Sequence, residues 1–133
     1  CPDESRRGYA TGACCLPPGL PGQTERIHVR SVVGRFLEHT RVLYFRWGAG
    51  SGDEALYLTS ADWMSRNMFR RIEIAWPVRD PALRQRLIDE CLVPYLLDGK
   101  DAWLEQGDGS YQPVGLEGAS AQQALMRRLQ GSR

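Results

Sequence analysis

The sequence predicts an α/β fold in a single domain. Three observations carry that expectation. Runs of alternating β-branched and aromatic residues, residues 40–45 above all, have the period of strands. Between them lie stretches with helical start signals and helical apolar spacing, residues 80–96 and 120–130. The chain has 133 residues, 42% hydrophobic and 25% charged, which suits one globular domain with a real core.

Taken in order, residues 1–8 are polar and read as a disordered or non-native N-terminal segment; the domain proper is expected over 9–133. The chain begins at Cys1 rather than at methionine and reads as a fragment or processed piece. Residues 9–16 predict a short strand of small residues. Residues 17–22 hold three prolines and two glycines and predict a stiff loop. Ile27 and Val29 alternate with polar neighbours, a short extended entry. Ser31 then stands where a helix cap would, and Val32, Val33, Phe36 and Leu37 share one helical face. Residues 40–45 form a strand, 47–53 a turn with three glycines, and 55–59 an antiparallel partner strand.

Residues 60–69 predict a turn with one helical turn in it. Residues 70–78 predict a third strand, with Ile72, Ile74 and Trp76 on one face. Asp80 and Pro81 open a helix by the cap and first-turn-proline rules. Leu83, Leu87, Cys91 and Tyr95 form its core stripe, and Pro94 kinks it near the end. A hairpin is expected around 106–110, where Asp108 precedes Gly109. A last helix spans 120–130.

The net charge is +1, so no global basic field points to nucleic acid. Of the 17 basic residues only Lys100 is a lysine; the rest are arginines, whose planar fork grips phosphate and carboxylate. No apolar run is long enough to span a bilayer, and no signal-peptide pattern appears. Cys1, Cys14, Cys15 and Cys91 lack metal-binding spacing and read as buried thiols of a reducing cytosol.

The chemistry concentrates in two connections. His39 ends the first predicted helix, and Arg35, Arg41, Arg66, Arg70 and Arg71 lie on the same two connections. A histidine among so many arginines makes a poor core and a good anion site. Beside bound phosphate it can attack phosphorus or protonate the leaving oxygen. Ser60, Asp62 and Asn67 add polar groups. Asp62 can orient an imidazole, or it or Ser60 can cap a helix whose N-terminal amides favour anions. Glu73 can pair with Arg71 or serve the site. A P-loop, a dinucleotide fingerprint, a nucleophile elbow and metal-ligand spacings are all missing from the sequence. Magnesium carried by substrate phosphates remains compatible with that.

These residues resemble a known family. Cys14-Cys15-Leu16 with Pro18-Gly19 and Pro21-Gly22, the run from Val29 through Arg41, and Ser60-Ala61-Asp62-Trp63-Met64 followed by Arg66-Asn67 and Arg70-Arg71-Ile72-Glu73 are similar to the C-terminal catalytic domain of polyphosphate kinases. The resemblance runs from about residue 9 to the end. It implies a phospholipase D-like mixed β-sheet flanked by helices. In that superfamily a histidine motif of the form HxK helps build a phosphoryl-transfer site; here the turn reads His39-Thr40-Arg41.

The resemblance further implies reversible transfer of the terminal phosphate of ATP to inorganic polyphosphate. His39 takes the place of the family's second active-site histidine, in a general-acid or supporting role. Arg41, Arg66, Arg70 and Arg71 become phosphate-binding, and Ser60, Asp62, Asn67 and Glu73 supporting. No protein-held metal is implied; Mg2+ would arrive with ATP and be held mainly outside this chain. Implied partners are ATP or ADP, polyphosphate and the N-terminal domains of the same enzyme, one of which bears the phosphohistidine nucleophile. A homo-oligomer is implied for the full-length form, in the cytoplasm, with attachment to the inner membrane left open.

The chain departs from the family at Thr11, where an arginine of the phosphate site is usual, and at Pro17, where a loop arginine is usual. Losing one such contact costs roughly 2–4 kcal/mol of transition-state stabilisation, or ~10²–10³ in rate. The chain is therefore expected to be impaired even within a full-length enzyme, and alone, without the nucleophile, to be incomplete or inactive. Two alternatives stay open: a dimeric phospholipase D-like phosphodiesterase, and a non-catalytic polyanion-binding domain.

Overall fold

The computed structural model describes residues 8–11, 17–50, 52–62, 64–115 and 117–131. Cys1, Cys14 and Cys15, most of the predicted 9–16 strand and Trp63 lie outside these residues, as does the predicted N-terminal segment up to residue 7. The α/β class holds. Contacts gather the chain into two compact units, Cys1–Leu37 with Pro94–Arg133, and Glu38–Val93.

The first unit is built on a four-stranded mixed sheet in the order β1-β2-β6-β7. β1 (Gly8–Thr11) runs parallel to β2 (Ile27–Val32), which pairs antiparallel with β6 (Ala102–Glu105). β6 forms the expected hairpin with β7 (Tyr111–Pro113), turned through Gly109 at a φ of 80° that favours glycine. Val29 and Ala102 on the central strands, and Ala121 at the start of the last helix, are each 1% exposed and mark the core. Arg30 on β2 donates from Nη1 to the carbonyls of Tyr95, Leu96 and Asp98, at 3.2, 2.7 and 2.8 Å. The carbonyls of Tyr95 and Leu96 close a helix that ends at Leu96, and Asp98 follows it, so a guanidinium satisfies groups the helix leaves open.

Ser31 does not cap a helix, and no helix forms over 32–39. The chain there is strand to Val32 and irregular after it. The physical reason is the neighbour. β2 lies inside the sheet, Ser31 is paired with Trp103 and Val32 with Ala102, and Val33 still donates to the Asp101 carbonyl at 2.9 Å. Those long-range bonds outweigh a weak helical pattern that contains Gly34 and two valines. Val33 and Leu37, expected on a core face, are 67% and 84% exposed.

The loop at 17–24 is tied together by Thr24. Thr24 donates its hydroxyl to the Pro17 carbonyl at 2.6 Å and accepts from Leu20 N–H at 2.9 Å. Gly19 and Gly22 take positive φ there.

In the second unit β3 (Val42–Arg46), β4 (Glu54–Thr59) and β5 (Ala75–Pro77) form an antiparallel sheet in that order. One face carries Leu56, 1% exposed, with Tyr44 and Glu54. Glu54 accepts from the Tyr44 hydroxyl at 2.6 Å and from Arg84 at 3.2 Å. Burial, and then this carboxylate, push the Tyr44 phenol above its ordinary pKa. The other face sets Leu43, Phe45, Ala55, Tyr57 and Ala75 around an open apolar groove. Phe45 and Tyr57 meet there edge to face, 6.3 Å between ring centres.

The predicted third strand at 70–78 shrinks to β5, because Arg70 closes helix α1 (Ser65–Arg70) and residues 71–74 are bound into a loop. Ile72 and Ile74 are 99% and 60% exposed, so neither is core. Helix α2 (Pro81–Leu87) starts as expected: Asp80 Oδ1 accepts from Leu83 N–H at 2.8 Å and proline stands at its first position. The expected core stripe is thinner than drawn. Leu83 is exposed, Leu87 and Cys91 are half-buried, and only Tyr95 is buried. Burial first, then Glu90, pushes the Cys91 thiol above its ordinary pKa.

Instead of a simple kink, the chain takes a π-helical turn at Ile88–Leu92 before α3 (Val93–Leu96). A proline at 94 has no N–H to give the preceding turn, and a wider turn accommodates that loss. The last helix, α4 (Ala121–Gln130), belongs to the first unit. It is capped by Ser120, which accepts from Gln123 N–H.

Candidate functional site

Apart from Arg35, the residues gathered around His39 in the sequence lie in the second unit. Two connections carry them: the segment ahead of β3, and the excursion at 60–74 between β4 and β5. The sheet brings these together. β3 and β4 are antiparallel partners, so residues just before one lie beside residues just after the other, and Thr59 N–H donates to the Arg41 carbonyl at 3.1 Å.

The centre is an ion pair. Arg41 Nε donates to Asp62 Oδ1 at 2.6 Å, with the two side chains 30% and 39% exposed. The bond holds the Asp62 carboxyl below its ordinary range, with charge from Arg41, His39 and Arg66 acting the same way. Asp62 in turn raises Arg41, whose Nη1 also reaches the His39 carbonyl at 3.5 Å. His39, Arg41, Asp62 and Arg66 thus share one electrostatic neighbourhood on an exposed surface.

A second network adjoins it. Glu73 Oε2 accepts from the Ser60 hydroxyl at 2.5 Å, and Oε1 accepts from the Asn67 amide at 2.7 Å. Those two donors, Ser60 first, lower the Glu73 carboxyl from its ordinary value, and Arg71 adds to the effect. The charge of Asp62 opposes it, which ties the two networks together.

Several roles read from sequence change. Asp62 is bonded to Arg41, not to the imidazole of His39. Neither Asp62 nor Ser60 caps α1. Its cap position is Met64, without a side-chain bond, and six residues make too short a helix for an anion site at its end. Glu73 takes neutral donors on both oxygens, while Arg71 acts on it only through charge. Arg70 is the exposed last residue of α1, where its charge suits the helix end. Arg35 falls in the first unit, its guanidinium 5.6 Å from the Phe36 ring centre. The Ser60–Glu73–Asn67 bracing escaped the sequence reading. The available signal was Asn67, an amide six residues before a carboxylate in a polar turn.

Among the described residues no group of three His, Cys, Asp or Glu side chains comes together as a metal site. Both carboxylates here accept from protein donors, Asp62 through Oδ1 and Glu73 through both oxygens. No described helix is long and apolar enough to cross a membrane. Chemically, the arrangement offers an exposed imidazole near guanidinium groups, one of them, Arg41, anchored by a carboxylate, which suits binding and protonation of a phosphate oxygen.

Residues 9–124 match the family described as "Polyphosphate kinase C-terminal domain 2". The chain is 54% identical over 101 residues to a polyphosphate kinase of Burkholderia ambifaria (strain MC40-6), covering 76% of this chain and 14% of that protein. It is 51% identical over 118 residues to a polyphosphate kinase of Pseudomonas aeruginosa, covering 86% of this chain and 16% of that one. A crystal structure of polyphosphate kinase from Porphyromonas gingivalis superposes with a TM-score of 0.79 at 37% identity, covering 91% of this chain and 18% of that chain. This chain therefore spans less than a fifth of the length of the proteins it matches. By its family match and these similarities, the chain belongs to the polyphosphate kinase family, as its C-terminal domain.

Proposed function

We propose that this domain contributes one half of a phosphoryl-transfer site that moves the terminal phosphate of ATP to inorganic polyphosphate, and back. ATP gives ADP, and the polyphosphate chain lengthens by one phosphate. The reading is supported most by one observation: Arg41, Arg66 and His39 gather around Asp62 on an open surface. In this reading Arg41 and Arg66 hold phosphate oxygens, with Arg70 and Arg71 at the margin. Asp62 and Glu73 anchor the loop. His39 protonates or hydrogen-bonds the leaving oxygen.

The histidine nucleophile would come from a domain outside this chain, so the chain alone is expected to bind and not to turn over. Magnesium would neutralise charge on the phosphates of bound ATP; this chain is assigned no ligand to it. The partners proposed are ATP or ADP, polyphosphate, the preceding domains of the enzyme and further copies of it. ATP as a substrate accords with a cytoplasmic enzyme.

The test is polyphosphate binding by the chain, titrated at several salt concentrations, with His39→Ala, Arg41→Ala and Arg66→Ala beside it. Binding that weakens with salt and drops in both arginine variants is expected, without ATP-to-polyphosphate transfer. Lack of binding at low salt would overturn the reading. Robust transfer by the chain alone would overturn the division into two half-sites.

A further inference from the structure

The excursion that carries Asp62, Arg66, Arg70 and Arg71 is closed at its neck and braced across its middle. Ser60 N–H donates to the Ile74 carbonyl at 3.0 Å, and Ile74 N–H donates back to Ser60 Oγ at 3.0 Å. The Ser60 hydroxyl then gives its own proton to Glu73 at 2.5 Å. The brace is Asn67 of α1, donating to the other Glu73 oxygen at 2.7 Å. Asn67 is 3% exposed, and its amide oxygen is buried with no hydrogen-bond partner among the described residues. A buried, unsatisfied oxygen carries a desolvation cost that an apolar side chain of similar size would avoid. That cost points to a task for the other end of the amide.

We infer that Asn67 is a positioning residue: by fixing Glu73 it sets the shape of the 60–74 loop, and so keeps Arg66 and Asp62 beside Arg41 and His39. This rests on the reading of that neighbourhood as a phosphate site. Asn67 sits next to Arg66 in α1, so a shift of the amide moves the guanidinium with it. The charged and hydrogen-bonding groups that face Glu73 are Ser60 and Asp62 from the turn after β4, Asn67 from α1, Arg71 beside it, and Arg41 ahead of β3.

The position allows a test that mere stabilisation of α1 would not pass. Asn67→Asp replaces the donor with a second carboxylate at hydrogen-bond distance from the first. Two such groups hold together only while they share a proton, and the pKa of that shared proton is raised. The brace is then intact at acid pH and pushed apart as pH rises through the raised value. Asn67→Ala removes the donor at every pH alike.

The measurement is the affinity for sodium polyphosphate between pH 5 and 8 at fixed salt, each variant as a ratio to the unaltered chain. Circular dichroism checks folding. Nitrogen-correlated NMR follows the Arg66 Nε–H signal without ligand. Asn67→Ala is expected to bind about tenfold more weakly throughout. Asn67→Asp is expected to bind normally near pH 5 and about tenfold more weakly at pH 8, its Arg66 signal moving with the same midpoint. A flat ratio for Asn67→Asp, or an Arg66 signal that ignores both substitutions, would overturn the inference. If the unaltered chain fails to bind polyphosphate, the phosphate-site reading falls, and the Arg66 signal still decides whether Asn67 positions that arginine.

Discussion

Gln122 holds both backbone groups of Phe36: its Oε1 accepts from Phe36 N–H at 3.0 Å and its Nε2 donates to the Phe36 carbonyl at 2.7 Å. A side-chain amide thus stands in for a neighbouring strand where the chain has left β2. Gly34 belongs to the same arrangement, since a Cβ there would run into the Gln122 amide oxygen. Gln122 is buried and cannot simply swing away. Gly34→Ala and Gln122→Ala are each expected to destabilise by about 1–3 kcal/mol, because each leaves the Phe36 groups without their partner. The double variant should cost less than the sum, since both act through the same two bonds. Denaturant midpoints of the four proteins check this; strict additivity would contradict the shared mechanism.

Asp98 carries more than an ordinary cap. Buried at 1% exposure, it accepts from Lys100 and Asp101 N–H with Oδ1, and from Ala121 N–H with Oδ2 at 2.7 Å. Asp98→Ala strands three amides and is expected to cost at least about 3 kcal/mol. Asp80→Ala removes a single exposed cap on α2 and should cost about 1 kcal/mol. Thermal unfolding of the two variants should rank them in that order.

The Arg41–Asp62 pair is half-buried and open to solvent, and solvent-screened ion pairs contribute little to stability. Arg41→Ala is therefore expected to leave the unfolding temperature nearly unchanged while weakening polyphosphate binding roughly tenfold or more. Arg41→Lys keeps the charge and loses the fork, so its affinity should fall between the two. Isothermal titration at low salt distinguishes the three proteins.

Asp62 and Glu73 both hold their protons less tightly than ordinary carboxyls. A lowered folded-state value means that the anions favour the closed loop above the unfolded-state value, about 4. That contribution is lost as pH falls through the lowered value. The amides of Ser60, Asn67 and Ile74 are expected to shift together in NMR spectra below about pH 4, while that of Phe36, held by a neutral amide, stays put. Loosening of the loop on raising the pH through neutrality would contradict the assignment.

Local rules read well where a segment's structure rests on its own residues. Asp80 before Pro81, Ser120 before the last helix, Asp108 before Gly109 and the β-branched and aromatic run at 40–45 all marked their elements in the sequence. The candidate site was legible as a neighbourhood: His39, Arg41, Asp62, Arg66 and Glu73 were named from spacing and resemblance, and the sheet brings them near one another. Its bonding was not legible. Asp62 was read as orienting an imidazole or capping a helix and bonds Arg41; Glu73, open between Arg71 and the site, takes Ser60 and Asn67.

By itself, then, the sequence determined the family and the α/β class, because these follow from motifs and short-range periodicity. Only the tertiary structure decided that residues 27–32 would be an inner strand leading to no helix. It also decided that the 60–74 loop would be drawn shut by one carboxylate. Both outcomes depend on partners tens of residues away or on competition among equivalent donors. Backbone pairing across a sheet and the burial of one amide settle such competition, and neither has a local signature.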